Sequence, residues 1–296
     1  MTETGLDKSP SPASSGFAVV ASWILLGTMV FCPRVAFAQH VMGPRAAGMA
    51  EIHRGIGTGN DSLFLNPAGM SLFPRYVVEG FWRRHTGRNE TLFSVSLVDS
   101  ATGPVAGGFA YTYDYAGSGG SVRSGSRVDV ATSYALSERL LVGSTMRYLQ
   151  YSTEDGSVRR LTGDTGVLVR LGDGFNFGLV AHNVLNATDR GGVAPRSFGA
   201  GVGAVLIQNF VLGFDYRIDP EADDRPASYS IGAEYFFLGH FALRGGWIRD
   251  DRLDDRRFSI GGTYVEEAYG LDVSYGRSLV GAEGYEIAVG LRLFVG

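Results

Sequence analysis

The stretch NFVLGFDYRIDPEADDRPASYSIGAEYFFLGH, residues 209–240, decides the fold. Phe210, Leu212, Phe214, Tyr216 and Ile218 recur at every second position, with Asp215 and Arg217 between them. After a polar loop, Tyr229, Ile231, Ala233, Tyr235 and Phe237 alternate with Ser228, Ser230, Gly232 and Glu234. A period of two belongs to a β-strand with unlike faces, since successive side chains leave opposite sides of the pleat. Two strands of about ten residues, each apolar on one face and polar on the other, make a hairpin of a membrane barrel.

Working outward, the alternation starts at Arg75 and runs to the end of the chain. The segments are 75–84, 90–98, 104–114, 126–136, 139–151, 163–171, 174–183, 195–206, 209–218, 227–237, 240–249, 256–265, 269–277 and 285–295. That is fourteen, an even number, which brings both barrel termini to one side. Every second connection is tiny (99–103, 137–138, 172–173, 207–208, 238–239, 266–268), while those between are mostly longer, such as 115–125 and 184–194. A miscounted strand would break this parity. In the last segment Tyr285, Ile287, Val289, Leu291, Leu293 and Val295 oppose Glu286, Ala288, Gly290 and Arg292. The apolar face must meet lipid, because an arginine there at mid-membrane would cost about 2–4 kcal/mol. Tyr76, Trp82, Tyr134, Tyr148, Trp247, Tyr264, Tyr269 and Tyr275 are expected in the two interfacial girdles. The competing fold is a large soluble β-sandwich with its apolar faces packed together.

Composition points the same way. The chain has 43 Gly, 14 Tyr and 18 Phe but only 19 % charged residues, which suits a sheet with one greasy and one wet face. A net charge of −4 argues against a nucleic-acid partner, which needs a clustered basic surface. Residues 1–38 read as a secretory signal: Lys8, the apolar run FAVVASWILLGTMVF (17–31), then Ala36-Phe37-Ala38 as a small-x-small cleavage site. The single cysteine, Cys32, lies within it, so a processed chain would hold no disulfide. With no second long apolar segment, a closed barrel is the remaining way to cross a bilayer with a satisfied backbone.

Residues 39–74 do not alternate. Their core, AGMAEIHRGIGTGNDSLFLNPAGMSLFP (47–74), holds the tetrapeptide Asn66-Pro67-Ala68-Gly69. Pro67 fixes φ and Gly69 permits positive φ, so a compact turn leading into the first strand is expected, inside or beneath the barrel.

A Gly-rich lead, Gly59-Asn60-Asp61, FLNPAGM (64–70) and a fourteen-strand barrel together resemble the FadL long-chain fatty-acid transporter superfamily and its smaller PorV/PorQ-type relatives. HNVLNATDRGGVAPRSFGAGVGA (182–204) resembles the PorV-type pattern. The resemblance covers the mature chain in architecture and about residues 45–73 in motif. It implies three parts: signal peptide 1–38, N-terminal hatch or plug 39–74, and barrel 75–296. It also implies a bacterial outer-membrane location, lipid and lipopolysaccharide as surroundings, and a hydrophobic ligand or an envelope protein complex as partner. Fatty-acid transporters of this kind carry large extracellular loops, whereas the loops here are short and polar, such as AGSGGSVRSGS (116–126).

Alternation places Glu79, Asp114, Asp129, Asp164, Asp215, Glu234, Asp272 and Glu286 inward, against Arg83, Arg127, Arg139, Arg147, Arg170, Arg217, Arg244 and Arg292. Arg–carboxylate pairs would satisfy both signs in a confined lumen. A selective pore tends to show one sign at its constriction, so balanced signs favour a cross-braced wall supporting the hatch. A conduit for hydrophobic solute should show an inward apolar patch, and the candidates Phe81, Leu92, Leu168, Val180 and Phe236 are scattered. Inward glycines (166, 178, 199, 201, 203, 232, 261, 290) either make room for the hatch or mark bends in the wall.

Catalytic and metal chemistry find little footing. His182, beside Asn183, lacks an evident orienting partner for nucleophilic catalysis. His40 and His53 have no ligand-spaced partners, so neither metal nor cofactor is expected. Gly199-x-Gly201-x-Gly203 precedes no helix and is no dinucleotide fingerprint. The acidic loops from Asp219 and Asp250 lack the regular ligand spacing of a calcium-binding loop and read as solvated charge. Two readings stay open: passive transport of a hydrophobic solute or a secretion-associated role, and a non-conducting scaffold anchoring an envelope machine.

Overall fold

A computed structural model describes residues 41–116, 122–153, 156–172, 174–185, 194–207, 209–220, 227–252, 254–280 and 284–295; the expected signal peptide lies outside them. The wall is a closed barrel of fourteen antiparallel strands in sequence order, sealed where the first strand pairs with the last. The strands are β1 (Tyr76–His85), β2 (Glu90–Asp99), β3 (Val105–Ala116), β4 (Val122–Ala135), β5 (Leu140–Thr153), β6 (Gly156–Gly172) and β7 (Phe175–His182). They continue as β8 (Ser197–Ile207), β9 (Phe210–Ile218), β10 (Ala227–Phe237), β11 (Phe241–Asp250), β12 (Asp255–Val265), β13 (Tyr269–Val280) and β14 (Tyr285–Val295). Closure leaves no unpaired edge, as a lipid-embedded sheet requires. Register shifts occur only near strand ends, at 122/124, 170/172, 205/207 and 256/257, so each ladder is continuous through its middle.

Alternation sets which side chain meets which medium. In β9, Phe214 is exposed while its neighbours Gly213 and Asp215 are buried. Phe93, Val95, Phe109, Met146 and Leu243 also stand outward and exposed. This outer surface is apolar and suits lipid. At the short-turn end, Phe237, Phe241, Tyr264 and Tyr269 meet ring to ring from strand to strand at centroid spacings of 5.7, 5.3 and 6.3 Å, the first pair stacked and the others tilted. Such cross-strand aromatic pairs fix register and build an interfacial girdle.

The N-terminal segment contains α1 (Pro44–Gly48), α2 (Asp61–Leu65) and a 3-10 turn, Pro67–Ser71. Pro44 and Pro67 each open their turn, where a missing N–H costs nothing. Both helices are too short to stand alone in water and depend on packing. They find it on the inward face: Leu63, Phe64, Leu65 and Met70 cluster with Phe81, Leu92, Val98, Ala106, Ala110 and Ala131 of β1–β4. Ala68 and Leu72 meet Leu141 and Leu168, and Met49, Ile52 and Ile56 meet Val211.

The inward glycines abut this segment. A Cβ on Gly178 would lie 1.9 Å from Arg54 O, and one on Gly143 would lie 2.5 Å from Ala68 N. Wall and segment thus touch backbone to backbone, which only glycine permits. Gly69 differs from expectation. It adopts no positive φ; the positive-φ glycines of this segment are Gly57 (φ 47°) and Gly59 (φ 74°). Gly69 instead admits close approach, since a Cβ there would sit 2.7 Å from Gly57 Cα.

Candidate functional site

Inside the wall, inward charged side chains meet along a strand, directly across a ladder, or over an intervening strand. Arg147 on β5 donates to Asp129 on β4 (2.7 Å) and forks onto Asp164 on β6 (3.1 and 2.6 Å). Arg127 shares Asp129 at 3.0 Å and lies 5.4 Å from the centre of the Phe64 ring. On the opposite wall Arg244 bridges Glu234 and Asp272, and Arg292 donates to Asp272 at 2.7 Å. Arg217 pairs with Asp250 at 3.1 Å. Bidentate, charge-assisted bonds of this kind satisfy groups that would be costly to bury alone.

The N-terminal segment joins these clusters with its own ions, which alternation could not reveal. Arg45 donates twice to Glu234, at 3.0 and 2.7 Å. Asp215 Oδ2 accepts the backbone N–H of His53 and of Arg54, each at 3.0 Å, and the Arg54 guanidinium at 3.1 Å. Glu51 accepts from Arg257 at 2.7 Å and lies 3.7 Å from Arg217. Burial raises the Glu51 carboxyl, but these two arginines pull it below its ordinary value. Burial likewise holds the His53 imidazole below its ordinary value. Among the described residues, ion pairs from segment to wall fall on β9, β10 and β12.

Asn66 carries the polar side of the Asn-Pro-Ala-Gly turn. Fully buried, it donates to Arg54 O (2.8 Å) and Val167 O (3.3 Å) and accepts from Ala68 N (3.3 Å). The Ala68 carbonyl accepts from Ser133 Oγ at 3.0 Å, and Ser71 Oγ donates to Ser133 Oγ at 2.8 Å.

Three residues expected in the charge network stand outside the pairs just described. Arg139 is exposed in the turn between β4 and β5. Arg170, half-buried near the end of β6, donates to the Leu72 carbonyl and so caps the segment's last turn. Glu79 faces Arg292 across the β1–β14 ladder, yet Arg292 turns to Asp272. Arg83 lies 3.9 Å from Glu286, a looser approach than the bidentate pairs. His182 does have an orienting partner, Asp164, at 3.1 Å from Nδ1. That carboxylate is also held by Arg147 and by Asn183 N–H (2.9 Å), and Ser197 Oγ opposite makes no hydrogen bond.

Two spaces flank the segment. Toward the long loops, a cup of about 70 Å³ is walled by Arg83, Arg147, Arg217, Asp250 and Glu286, with Met42 and Phe64 at its floor. Toward the short turns, a wider vestibule of about 650 Å³ is lined by Ile56, Leu72, Phe73, Val211, Phe236 and Phe294, with Arg45 and Arg244 among them. The inward apolar candidates Phe81 and Leu92 are not scattered. They form one seam with the segment between these spaces.

No protein-family model matches this chain, and no curated protein matches it. Solved structures do. The Pseudomonas putida toluene transporter TodX is similar at 13 % identity and TM-score 0.67, over 88 % of this chain and 99 % of that one. The Ralstonia pickettii toluene transporter TbuX is similar at 12 % identity and TM-score 0.66, over 87 % and 99 %. The CymD monoaromatic hydrocarbon channel is similar at 14 % identity and TM-score 0.63, over 88 % and 99 %. A Pseudomonas aeruginosa FadL homologue aligns at 11 % identity and TM-score 0.52. At such identities the likeness concerns the fold alone, and the chain has a FadL-like barrel fold.

Proposed function

We propose that this protein is a passive outer-membrane conduit for a small hydrophobic solute, with residues 41–73 as its hatch. The observation that carries this reading is the asymmetry of the segment's attachment. Toward β9, β10 and β12 it is held by buried ion pairs, while toward β1–β4 it meets a seam of Phe81, Leu92, Val98, Ala106, Ala110 and Ala131. Removing one partner of a buried ion pair costs about 3–5 kcal/mol, because the other charge is left unpaired. When the seam opens, a hydrophobic solute that takes the segment's place covers the bared apolar surface again, at about 25 cal/mol per Å². A polar solute gives no such return. The hatch therefore pivots on its charged side and parts from the apolar side, and the solute passes from cup to vestibule.

The resemblance to channels described as carrying toluene and monoaromatic hydrocarbons supports this reading over a scaffold role. Uptake by cells whose outer leaflet is lipopolysaccharide tests it. Cells producing the barrel should accumulate a labelled monoaromatic faster than cells without it, with no gain for a sugar of similar size. Equal rates for the aromatic would refute it.

A further inference from the structure

On the outer face of β11, β12 and β13 one pattern recurs: an aromatic residue, then an arginine two positions nearer the long loops. The pairs are Trp247 and Arg249, Phe258 and Arg256, and Tyr275 and Arg277. Side chains two apart on a strand share a face, so rings and guanidinium groups form two rows. Trp247 lies directly across the ladder from Phe258, and Arg249 from Arg256. Arg277 faces Phe258 and so stands diagonally from Arg256. The ring row runs on from Phe258 to Tyr275 and Tyr285 at centroid spacings of 6.4 and 6.1 Å. All three arginines are exposed.

The arginine row lacks the neutralisation found inside the wall. Arg249 donates to Asp251 at 2.6 Å, but in an exposed pair, which contributes little. Arg256 and Arg277 make no ion pair or hydrogen bond among the described residues. The inward Arg257, next in the chain to Arg256, is by contrast paired with Glu51 at 2.7 Å. Like charges directly across a ladder repel, so Arg249 opposite Arg256 calls for an anion from outside the chain.

We infer that this strip binds one phosphorylated glycolipid of the outer leaflet, the lipid A part of lipopolysaccharide. Guanidinium groups match phosphate oxygens in bidentate, charge-assisted bonds. The acyl chains then run down over the rings and the exposed Leu243, Ile260 and Val273 beneath them. A single amphiphile thus fits both rows, whereas a free phosphate ion would use only the upper one. The inference requires the long loops to face outward from an outer membrane, and it is independent of the transport reading.

Native mass spectrometry of the delipidated, detergent-purified barrel tests it. Added bis-phosphorylated lipid A should stay bound at one molecule per chain. Dephosphorylated lipid A with the same acyl chains, and phosphatidylglycerol, should each be retained about tenfold less or weaker still. The triple change Arg249→Gln, Arg256→Gln and Arg277→Gln should cut lipid A retention by a similar factor. Arg159→Gln, exposed on β6, should leave it unchanged. Equal retention of either comparison lipid, or undiminished binding in the triple variant, would overturn the assignment. Should the triple variant fail to fold, the three lipids compared on the unaltered protein decide the matter.

Discussion

Arg54 and Asp215 form a buried ion pair at 3.1 Å in which the same carboxylate oxygen also accepts the Arg54 backbone N–H at 3.0 Å. One side chain of β9 thus fixes both the charge and the main chain of the N-terminal segment, with the His53 N–H as a third donor. Asp215→Asn keeps the volume but leaves Arg54 buried without a counter-charge. Docking of the segment should weaken by about 3–5 kcal/mol. Hydrogen exchange at residues 45–58 reads this directly: their amides should exchange far faster in the variant while the barrel ladders stay protected. Unchanged protection would mean that Asp215 does not hold the segment.

The close approach of wall glycines to the segment predicts a position-specific effect. Gly178→Ala and Gly143→Ala put a methyl into backbone atoms of the segment, at 1.9 and 2.5 Å, with no flexible side chain to yield. Each should displace the segment and raise the single-channel conductance of the barrel in planar bilayers. Gly80→Ala, where a Cβ meets nothing within 4 Å, should match the unaltered protein.

How far the sequence anticipates this arrangement depends on which signal each part carries. The strands were legible because lipid and lumen impose opposite demands on adjacent residues, as Phe214 and Asp215 illustrate. The parity of short and long connections then fixed the count, and each expected segment overlaps an observed strand. Alternation reports the face of a residue, however, and not the partner it selects. Glu79 is inward as expected, yet Asp272 draws Arg292 away from it. Arg170 serves the Leu72 carbonyl rather than a carboxylate. The ions of the segment, Arg45, Glu51 and Arg54, lie in a stretch without periodicity, so nothing local indicated their partners some 160 or more residues away. The apolar seam was hidden for the same reason, because half of it belongs to that stretch.

Acid should loosen the segment. His53 has a folded pKa below its ordinary 6.5, so a released segment binds a proton that the docked one resists. Docking stability is therefore complete above about pH 6.5 and declines as pH falls toward the folded value. Glu51, held below its ordinary 4.5 despite burial, adds a loss of the same sign at lower pH. Conductance should rise between neutral pH and about pH 5, and His53→Gln should flatten that upper part of the profile. A conductance independent of pH in this range would contradict the assignment.

The central claim is that solute passes where the segment parts from the apolar wall, and a reversible staple tests it most directly. Ser71 and Ser133 already place their Oγ atoms 2.8 Å apart, so a Ser71→Cys, Ser133→Cys pair needs little movement to reach the roughly 2.05 Å of a disulfide. The measurement is the initial rate of monoaromatic uptake by cells producing this variant, oxidised and then reduced. Uptake should fall to the background of cells without the barrel when the disulfide is formed and return on reduction. Uptake that stays at the unaltered protein's rate with the disulfide intact would contradict the account.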